Sequence, residues 1–324
     1  MTLAARAGPP LRLGVSACLL GEKVRFDSGH KRDEFVVATL GRYVEWVPVC
    51  PEMAVGMGTP RESVRLVQHG GDVRMIAPKS GRDWTAVMTD WAKDHMSELE
   101  RARLHGFVLK KNSPSCGLFR VKLYSQKGGP ATRDAQGLFA RELVARFALL
   151  PVEEEGRLCD APLRENFIER LFAYQRWLAL LDEDATPKGL VAFHTSHKMT
   201  LLSHSPEHYT RLGRIVARAG KTPWPDLAES YGALFMEALA VLATRGRHVN
   251  AIQHLAGFVS DDMNAADREE LHAAIADYRA QLVPLIVPIT LLRHHLRDRG
   301  APAWAMSQVY LSPYPKELML RNHV

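Results

Sequence analysis

Short apolar runs alternate with longer helical patterns in the first half of the chain. Residues 11–17 (LRLGVSA), 44–49 (VEWVPV) and 107–110 (FVLK) are rich in Val and are bounded by Gly, Pro or Ser, which is typical of buried strands. Between them, residues 32–40 and 84–104 carry apolar positions near helical spacing. This alternation predicts an α/β fold with a mostly parallel, Rossmann-like sheet.

The strand signals stop at about residue 163. Residues 135–147 show one more helical pattern and residues 152–158 one more short strand, and the rest of the chain is helical in character. Helices are predicted at residues 165–181, 187–203, 206–219, 224–245, 266–281 and 284–299. Since 324 residues suit two cores better than one, we predict an α/β domain at residues 1–163 and an all-α domain at residues 164–324.

The composition is that of a soluble globular protein, with 46% apolar and 24% charged residues. Residues 1–10 lack the apolar core of a signal peptide, and the longest apolar stretch, residues 282–292, is about half a membrane span and contains two prolines. We therefore expect a cytoplasmic protein without a membrane partner. The four cysteines are too few for a disulfide framework and are interpreted as free thiols, metal ligands or catalysts.

The net charge of +6 and the pI near 9.2 favour anionic partners. The chain nevertheless lacks a dense stripe of Lys and Arg with interleaved aromatic residues, which a dedicated nucleic-acid surface usually has. A nucleic-acid partner is therefore possible in principle but not the favoured interpretation, and the residues do not indicate an oligomeric state.

Three cysteines follow the three predicted strands. Cys18 comes directly after the first strand, Cys50 ends the second, and Cys116 follows the third after a short loop. Because the carboxyl ends of parallel strands meet at one edge of a sheet, where ligands bind in open α/β folds, the topology alone brings these thiols together. Cys159 lies outside this pattern and is interpreted as structural.

Small or turn-forming residues surround each of the three thiols, and such residues let the backbone approach a bulky inorganic group. Structural zinc normally takes four Cys or His ligands at paired local spacing. Three thiols without an evident fourth ligand favour instead a cluster with one open iron. The alternative is that the thiols are buried structural cysteines, since free Cys is often buried.

Four motifs make the comparison with a known family specific. Residues 15–31 (VSACLLGEKVRFDSGHK), 47–52 (VPVCPE), 59–63 (TPRES) and 110–117 (KKNSPSCG) resemble the thiouracil desulfidase family, TudS, over about residues 11–160. The segments GLVAFHTSHKMTLLSHSPEHY and QVYLSPYPKELMLRN resemble a YbgA-type helical domain of unknown function, which is often fused to such desulfidases. The two resemblances together span nearly the whole chain.

The resemblance implies a 4Fe-4S cluster held by Cys18, Cys50 and Cys116, with the fourth iron left for the sulfur of the substrate. The implied reaction is non-redox removal of sulfur from a small thiolated nucleobase or nucleotide, such as 2- or 4-thiouracil, to give uracil and sulfide. Glu52 and Ser113 match the family positions for a base that activates water and for a donor to the ring. Without the resemblance, Glu52 reads as a turn carboxylate and Ser113 as a turn cap.

Several further polar residues are not assigned to the site. Arg25, Asp27, His30 and Arg61 could face the substrate or an anion, but an ordinary surface loop explains them equally well. Four histidines, namely His194, His197, His204 and His208, fall at helix-compatible spacings. They are interpreted as hydrogen-bonded or exposed rather than as metal ligands, because no carboxylate stands at a suitable spacing among them.

Two other function classes remain open at the level of sequence. The helical domain could present thiolated tRNA or its nucleotides to the cluster domain, which would make the chain an RNA-associated protein. Alternatively, the chain could be a non-catalytic iron-sulfur sensor, for which a Glu and a Ser beside an open iron would be an odd arrangement. Turnover of thiouracil separates the enzyme from the sensor, and salt-dependent binding of tRNA supports the RNA-associated protein.

Overall fold

The computed structural model describes residues 10–324. The expectation about a signal peptide concerns residues 1–10, and all of these except Pro10 lie outside the described residues. The chain divides into two compact units, the first ending at Cys159 and the second beginning at Asp160.

The strands of the described residues are β1 (Leu11–Ser16), β2 (Val44–Val49), β3 (Arg65–His69), β4 (Asp72–Ile76), β5 (Gly106–Leu109), β6 (Val121–Ser125), β7 (Thr132–Ala135) and β8 (Val152–Glu154). The α-helices are α1 (Pro51–Ala54), α2 (Thr85–Ala102), α3 (Leu138–Arg146), α4 (Ala161–Glu183), α5 (Pro187–His204), α6 (Pro206–Val216), α7 (Trp224–Ala240), α8 (Arg245–Ala256), α9 (Ala265–Arg279), α10 (Ile286–Asp298) and α11 (Ala303–Met306). The predicted fold class is confirmed, because strands and helices alternate in the first unit and the second unit is helical.

The first sheet is wholly parallel, with the strand order β2-β1-β5-β8. Ser16 is in register with Val49, and Val15 with Val108. These are the four strands that the apolar runs predict. The carboxyl ends of β2, β1 and β5 therefore lie side by side at one edge of the sheet.

A close approach of two strands explains the glycine in β1. A Cβ atom on Gly14 would stand 2.1 Å from the ring of Phe107 on the neighbouring strand β5. Phe107 is fully buried, so its ring cannot swing out to make room. The absence of a side chain at position 14 is thus what lets β1 and the Phe107 ring pack together.

The first unit also contains a second four-stranded sheet, which the sequence analysis did not predict. Its order is β4-β3-β6-β7, with antiparallel pairs at both edges and a parallel pair in the centre. These strands carry many exposed charged residues, which hide their apolar positions. The available signal was the turn at Gly70 and Gly71 between β3 and β4, a dipeptide that favours a two-residue hairpin.

Two predicted helices differ from the structure. Residues 32–40 form only a π-helical turn, Phe35–Thr39, and a following 3-10 turn. The helix predicted at residues 224–245 ends at Ala240, and α8 is a separate helix at 118° to α7. The reason is local: the Thr244 hydroxyl accepts a hydrogen bond from the backbone N–H of Arg247, which begins a new helix.

Side-chain caps begin several helices of the second unit. Asp160 accepts from the N–H of Leu163 at 3.0 Å, and Thr186 from that of Gly189 at 3.0 Å. Each cap comes one or two residues before a proline. Proline suits the first turn of a helix, because backbone N–H groups there have no intrahelical acceptor and the N–H that proline lacks is not needed. The sequence analysis starts α5 at Pro187, as observed, but starts α4 at residue 165, four residues after its observed start at Ala161.

Among residues 10–324, no single helix combines the length and apolar character needed to cross a membrane, and the bent pair α7 and α8 passes that criterion only when the two are taken together. The aromatic residues of the second unit pack against one another instead. The rings of Trp177 and Tyr231 are stacked with centroids 5.5 Å apart, and Phe193 meets Phe235 edge to face at 5.1 Å. These side chains form part of the core of that unit.

Candidate active site

The three cysteines that follow β1, β2 and β5 line one cavity of about 500 Å³. Cys18 lies in the 3-10 turn after β1, Cys50 immediately precedes α1, and Cys116 lies in the loop after β5. Cys18 and Cys116 are buried, and Cys50 is half-buried. Cys159 is exposed and does not line this cavity.

The cavity disfavours charge on these thiols when nothing neutralises it. Burial raises the pKa of Cys18 to about 11, although Arg25 opposes the shift. Burial also raises the pKa of Cys50 and that of Cys116, and the neighbouring thiols add to the rise for Cys116. Thiolates are the form that binds metal, so a cationic centre between them would be needed to hold all three ionised.

The Glu52 carboxylate, in the first turn of α1, is held at both oxygens. Its Oε1 accepts a hydrogen bond of 2.7 Å from the Ser115 hydroxyl. Its Oε2 accepts from Nε of Arg61 at 3.1 Å and also from Nη2 of the same guanidinium. The Arg61 side chain is 6% exposed and that of Glu52 is 15% exposed, and Glu52, Arg61 and Ser115 all line the cavity.

Arg61, which the sequence analysis leaves outside the site, also connects the loops that follow β1 and β2. Its Nη1 donates to the carbonyl oxygens of Val24 at 3.0 Å and of Gly58 at 2.6 Å. The anion that it meets is Glu52 of the same chain. The motif TPRES contains Arg61, but its role depends on a contact that only the folded loops create.

Ser113 caps the turn that carries Cys116. Its hydroxyl oxygen accepts from the backbone N–H of Cys116 at 3.1 Å and of Ser115 at 3.3 Å. It also lies 2.9 Å from the hydroxyl of Ser115. Ser115, which the sequence analysis does not single out, is 1% exposed, and it is the serine in direct contact with Glu52.

Two buried carboxylates, one at the end of β8 and one directly after it, hold the loop on both sides of Cys116. Glu154 accepts from the backbone N–H groups of Leu118 at 2.8 Å and Phe119 at 3.1 Å. Glu155 accepts from the N–H of Lys111 at 2.8 Å and forms an ion pair with Lys110. Burial raises the pKa of Glu154, and the two backbone N–H groups oppose that rise. Strand β8 thus fixes the position of the third thiol.

Two glycines allow the Cys116 loop to pack closely. A Cβ atom on Gly117 would stand 2.7 Å from the backbone oxygen of Ser113. One on Gly137, just before α3, would stand 2.5 Å from the backbone oxygen of Ser115. Because the obstructing atoms belong to the backbone, larger residues at these positions would displace the loop that carries the cysteine.

Basic side chains surround the cavity. Eight Lys and Arg residues line it, against Glu52 as the one carboxylate. They are Arg25, Lys31, Arg61, Arg65, Lys110, Lys111, Lys122 and Arg133. Several come from the second sheet, where the guanidinium of Arg65 lies over the ring of Tyr124 at 4.9 Å. Arg61, Lys110 and Arg25 pair with Glu52, Glu155 and Asp27, and the other five cations leave the mouth of the cavity positively charged.

The remaining candidates lie elsewhere. Asp27 and His30 are exposed and do not line the cavity. Each of the four histidines of the second unit has a hydrogen-bond partner within the protein: Tyr231 for His194, the Phe193 carbonyl for His197, Glu169 for His204 and Ser205 for His208. Across residues 10–324, no three His, Cys, Asp or Glu side chains stand close enough together to hold one metal ion.

Two protein families match the chain in succession. The model of the 2-thiouracil desulfurase family matches residues 13–155, and that of a protein family of unknown function, DUF1722, matches residues 198–315. The chain belongs to the 2-thiouracil desulfurase family. The first match includes all three cavity cysteines together with Glu52 and Ser113, and the resemblance seen in the sequence motifs is confirmed in both halves.

Individual proteins similar to this chain include two curated relatives. The uncharacterized protein YbbK of Bacillus subtilis (strain 168) is 31% identical over 108 residues, which are 32% of this chain and 71% of YbbK. The uncharacterized protein YbgA of Escherichia coli (strain K12) is 27% identical over 161 residues, which are 49% of this chain and 94% of YbgA. A solved structure, the [4Fe-4S]-dependent thiouracil desulfidase TudS, is 28% identical with a TM-score of 0.36 and aligns with 46% of this chain and 93% of its own.

Proposed function

We propose that this chain removes sulfur from a thiolated pyrimidine by means of a 4Fe-4S cluster on Cys18, Cys50 and Cys116. The observation that carries the proposal is the convergence of three strand-end thiols and the Glu52 carboxylate on one cavity. Membership of the 2-thiouracil desulfurase family supports the substrate class.

The donor set fits a cluster better than a single ion. Soft thiolates favour iron-sulfur, zinc or copper centres, and structural zinc normally takes four Cys or His ligands, whereas three Cys and no His line this cavity. In a cluster, each protein sulfur binds a different iron, so the ligands stand farther apart. Three thiols around one cavity, without a fourth Cys among the lining residues, match a cluster with one iron free of protein ligands.

When bound, such a cluster would supply a Lewis-acidic iron for a soft sulfur atom. Glu52 would then take a proton from water as the water oxygen bonds to the ring carbon that carries sulfur. As the carbon–sulfur bond breaks, the new hydroxyl becomes the ring carbonyl, and its proton together with the one held by Glu52 goes to the departing sulfur, which restores the carboxylate. Thiouracil and water thus give uracil and hydrogen sulfide, and no external oxidant or reductant is consumed. Ser113, which lines the same cavity, would act there through Ser115 and through the turn that it caps.

Turnover by anaerobically reconstituted protein tests the proposal. Free 2- and 4-thiouracil should be converted to uracil and sulfide only by protein that carries iron, and the apoprotein should be inactive. Cluster-loaded protein that turns over none of the thiolated pyrimidines would refute the enzyme and would favour the sensor.

The basic rim favours a second candidate, in which the thiolated base is part of a nucleotide or of tRNA. Besides the three cations that pair with Glu52, Glu155 and Asp27, five line the cavity, more than a neutral free base requires, and such charges suit phosphate groups. Thiouridine monophosphate and thiolated tRNA are therefore assayed beside the free base. Binding of tRNA that weakens steeply with salt supports the RNA substrate, because each phosphate contact releases counterions.

A further inference from the structure

The two serines of the Cys116 loop play different roles toward Glu52. Ser113 Oγ has two lone pairs, and two backbone N–H groups, those of Ser115 and Cys116, are directed at them. The hydrogen on Ser113 is therefore the one available for the 2.9 Å contact between the two hydroxyls. Ser113 is in this way committed to its own turn and to Ser115.

The hydroxyl of Ser115 has a choice between two acceptors. It lies 2.7 Å from Oε1 of Glu52 and 3.8 Å from Sγ of Cys116. A short bond to an ionised carboxylate is much stronger than a long contact to sulfur. The hydrogen of Ser115 therefore points to Glu52, and its oxygen accepts the hydrogen of Ser113.

We propose that Ser115 is a positioning residue, which fixes Oε1 of Glu52 while Arg61 fixes Oε2. With both oxygens held, the carboxylate keeps one orientation toward the cavity, and Oε1, which accepts one hydrogen bond, retains a lone pair for water. This inference rests on the proposed function, in which Glu52 is the base. Ser115 holds Glu52 by a direct hydrogen bond. Ser113 affects the orientation of Glu52 only through its contact with Ser115.

A mutant cycle on the anaerobic holoprotein tests this role. Ser115→Ala should keep its iron and lose roughly 10- to 100-fold in kcat, with KM changed little, because a hydrogen bond to a charged group is lost outside the binding contacts. Adding Ser115→Ala to Glu52→Gln should cost nothing further, since Ser115 acts through Glu52. Wild-type kcat in Ser115→Ala, an additive double variant or loss of iron would each overturn the assignment.

A second measurement does not depend on activity. In infrared spectra of protein with 13C-labelled Glu, the carboxylate band that disappears in Glu52→Gln should shift in Ser115→Ala, because Oε1 loses a donor. An unshifted band overturns the inference. If the wild-type protein turns over no thiolated pyrimidine, the proposed function fails, while the infrared band still decides whether Ser115 holds Glu52.

Discussion

Nε2 of His204 lies 3.0 Å from Oε2 of Glu169, and both side chains are almost completely buried. The other ring nitrogen of His204 lies 2.6 Å from the carbonyl oxygen of Val241. Because both neighbours are acceptors, both nitrogens carry hydrogen and the ring is an imidazolium. Burial alone would lower the pKa of His204, but its hydrogen bond to Glu169 raises it. This ion pair joins α4 to α5.

Removing the charge of Glu169 should therefore destabilise the second unit. Glu169→Gln leaves the buried His204 without its counter-ion, and breaking a buried pair in this way costs about 3–5 kcal/mol. Denaturant unfolding followed by circular dichroism measures the loss. Glu237→Gln is the matched control, because Glu237 also pairs with a histidine, His208, but is 63% exposed and should cost at most about 1 kcal/mol.

The cost of Glu169→Gln should depend on pH. Because the pKa of His204 is raised, the stability that its protonation contributes is complete below the ordinary value of 6.5 and is lost as pH rises through the raised value. Burial opposes ionisation of Glu169, but the bond to His204 lowers the pKa of Glu169 to about 2. The stability that the Glu169 carboxylate contributes is therefore complete above 4.5 and is lost as pH falls toward 2. The penalty should peak between pH 4.5 and 6.5, and a constant penalty would contradict the ionised pair.

The cysteine ligands can be tested by iron content. After anaerobic reconstitution, Cys18→Ala, Cys50→Ala and Cys116→Ala should each fail to retain a cluster, because each removes one of three thiolates around the cavity. Cys159→Ala is the control, since Cys159 is exposed and does not line the cavity. Iron analysis and the visible spectrum measure the outcome, and a Cys159→Ala protein without iron would show that three ligands are not the complete set.

Glu52 should act in the chemistry and not in holding iron. Glu52→Gln should keep the visible absorbance of the cluster and lose about 10²–10⁴-fold in turnover, the range typical of a general acid or base. Ser113→Ala should lose less, because the hydroxyl of Ser113 caps its own turn. Steady-state assays of protein matched for iron content separate the two effects. Turnover by Glu52→Gln at the wild-type rate would remove Glu52 from the mechanism.

A methyl group added at Gly137, which packs against the Cys116 loop, should destabilise the protein and weaken its hold on iron. Gly137→Ala places a Cβ atom 2.5 Å from the backbone oxygen of Ser115, so the loop must shift, at a cost of about 1–3 kcal/mol and with reduced iron retention. Gly71→Ala is the control, because no atom lies within 4 Å of the Cβ it adds. Thermal unfolding and iron analysis compare the two variants. Equal iron retention would show that the loop adapts freely.

The first unit should fold and bind iron by itself. A fragment of residues 1–159 contains the three cavity cysteines and both sheets of the described structure, and it ends before Asp160, which caps α4. A fragment that ends after residue 163, the boundary predicted from sequence, would carry the first residues of α4 without the helix that follows. Gel filtration and iron content decide the outcome, and an aggregated or iron-free 1–159 fragment would show that the cluster domain depends on the helices.

Local features of the sequence determined the parallel sheet and the meeting of the three thiols. Apolar runs predict β1 and β5 because a strand covered on both faces must be apolar along its length. The run at residues 44–49 also predicts β2, although β2 lies at the edge of the sheet and only Val49 of its residues is buried. Once those strands are parallel, Cys18, Cys50 and Cys116 share an edge without further information. Most helices of the second unit were equally predictable, since residues such as Thr186 and Pro187 mark helix starts locally. The start of α4 at Ala161, after its cap Asp160, was placed four residues too late.

Only the tertiary structure decided how the site is assembled. The contact between Ser115 and Glu52 joins residues 63 positions apart, and that between Leu118 and Glu154 joins residues 36 positions apart. Hydrogen bonds of this kind leave no periodic trace in the sequence, because each depends on where separate loops come to rest on the sheet. The sequence therefore determined which thiols meet, whereas the folded loops decided which neighbours hold the Glu52 carboxylate and the third cysteine in place.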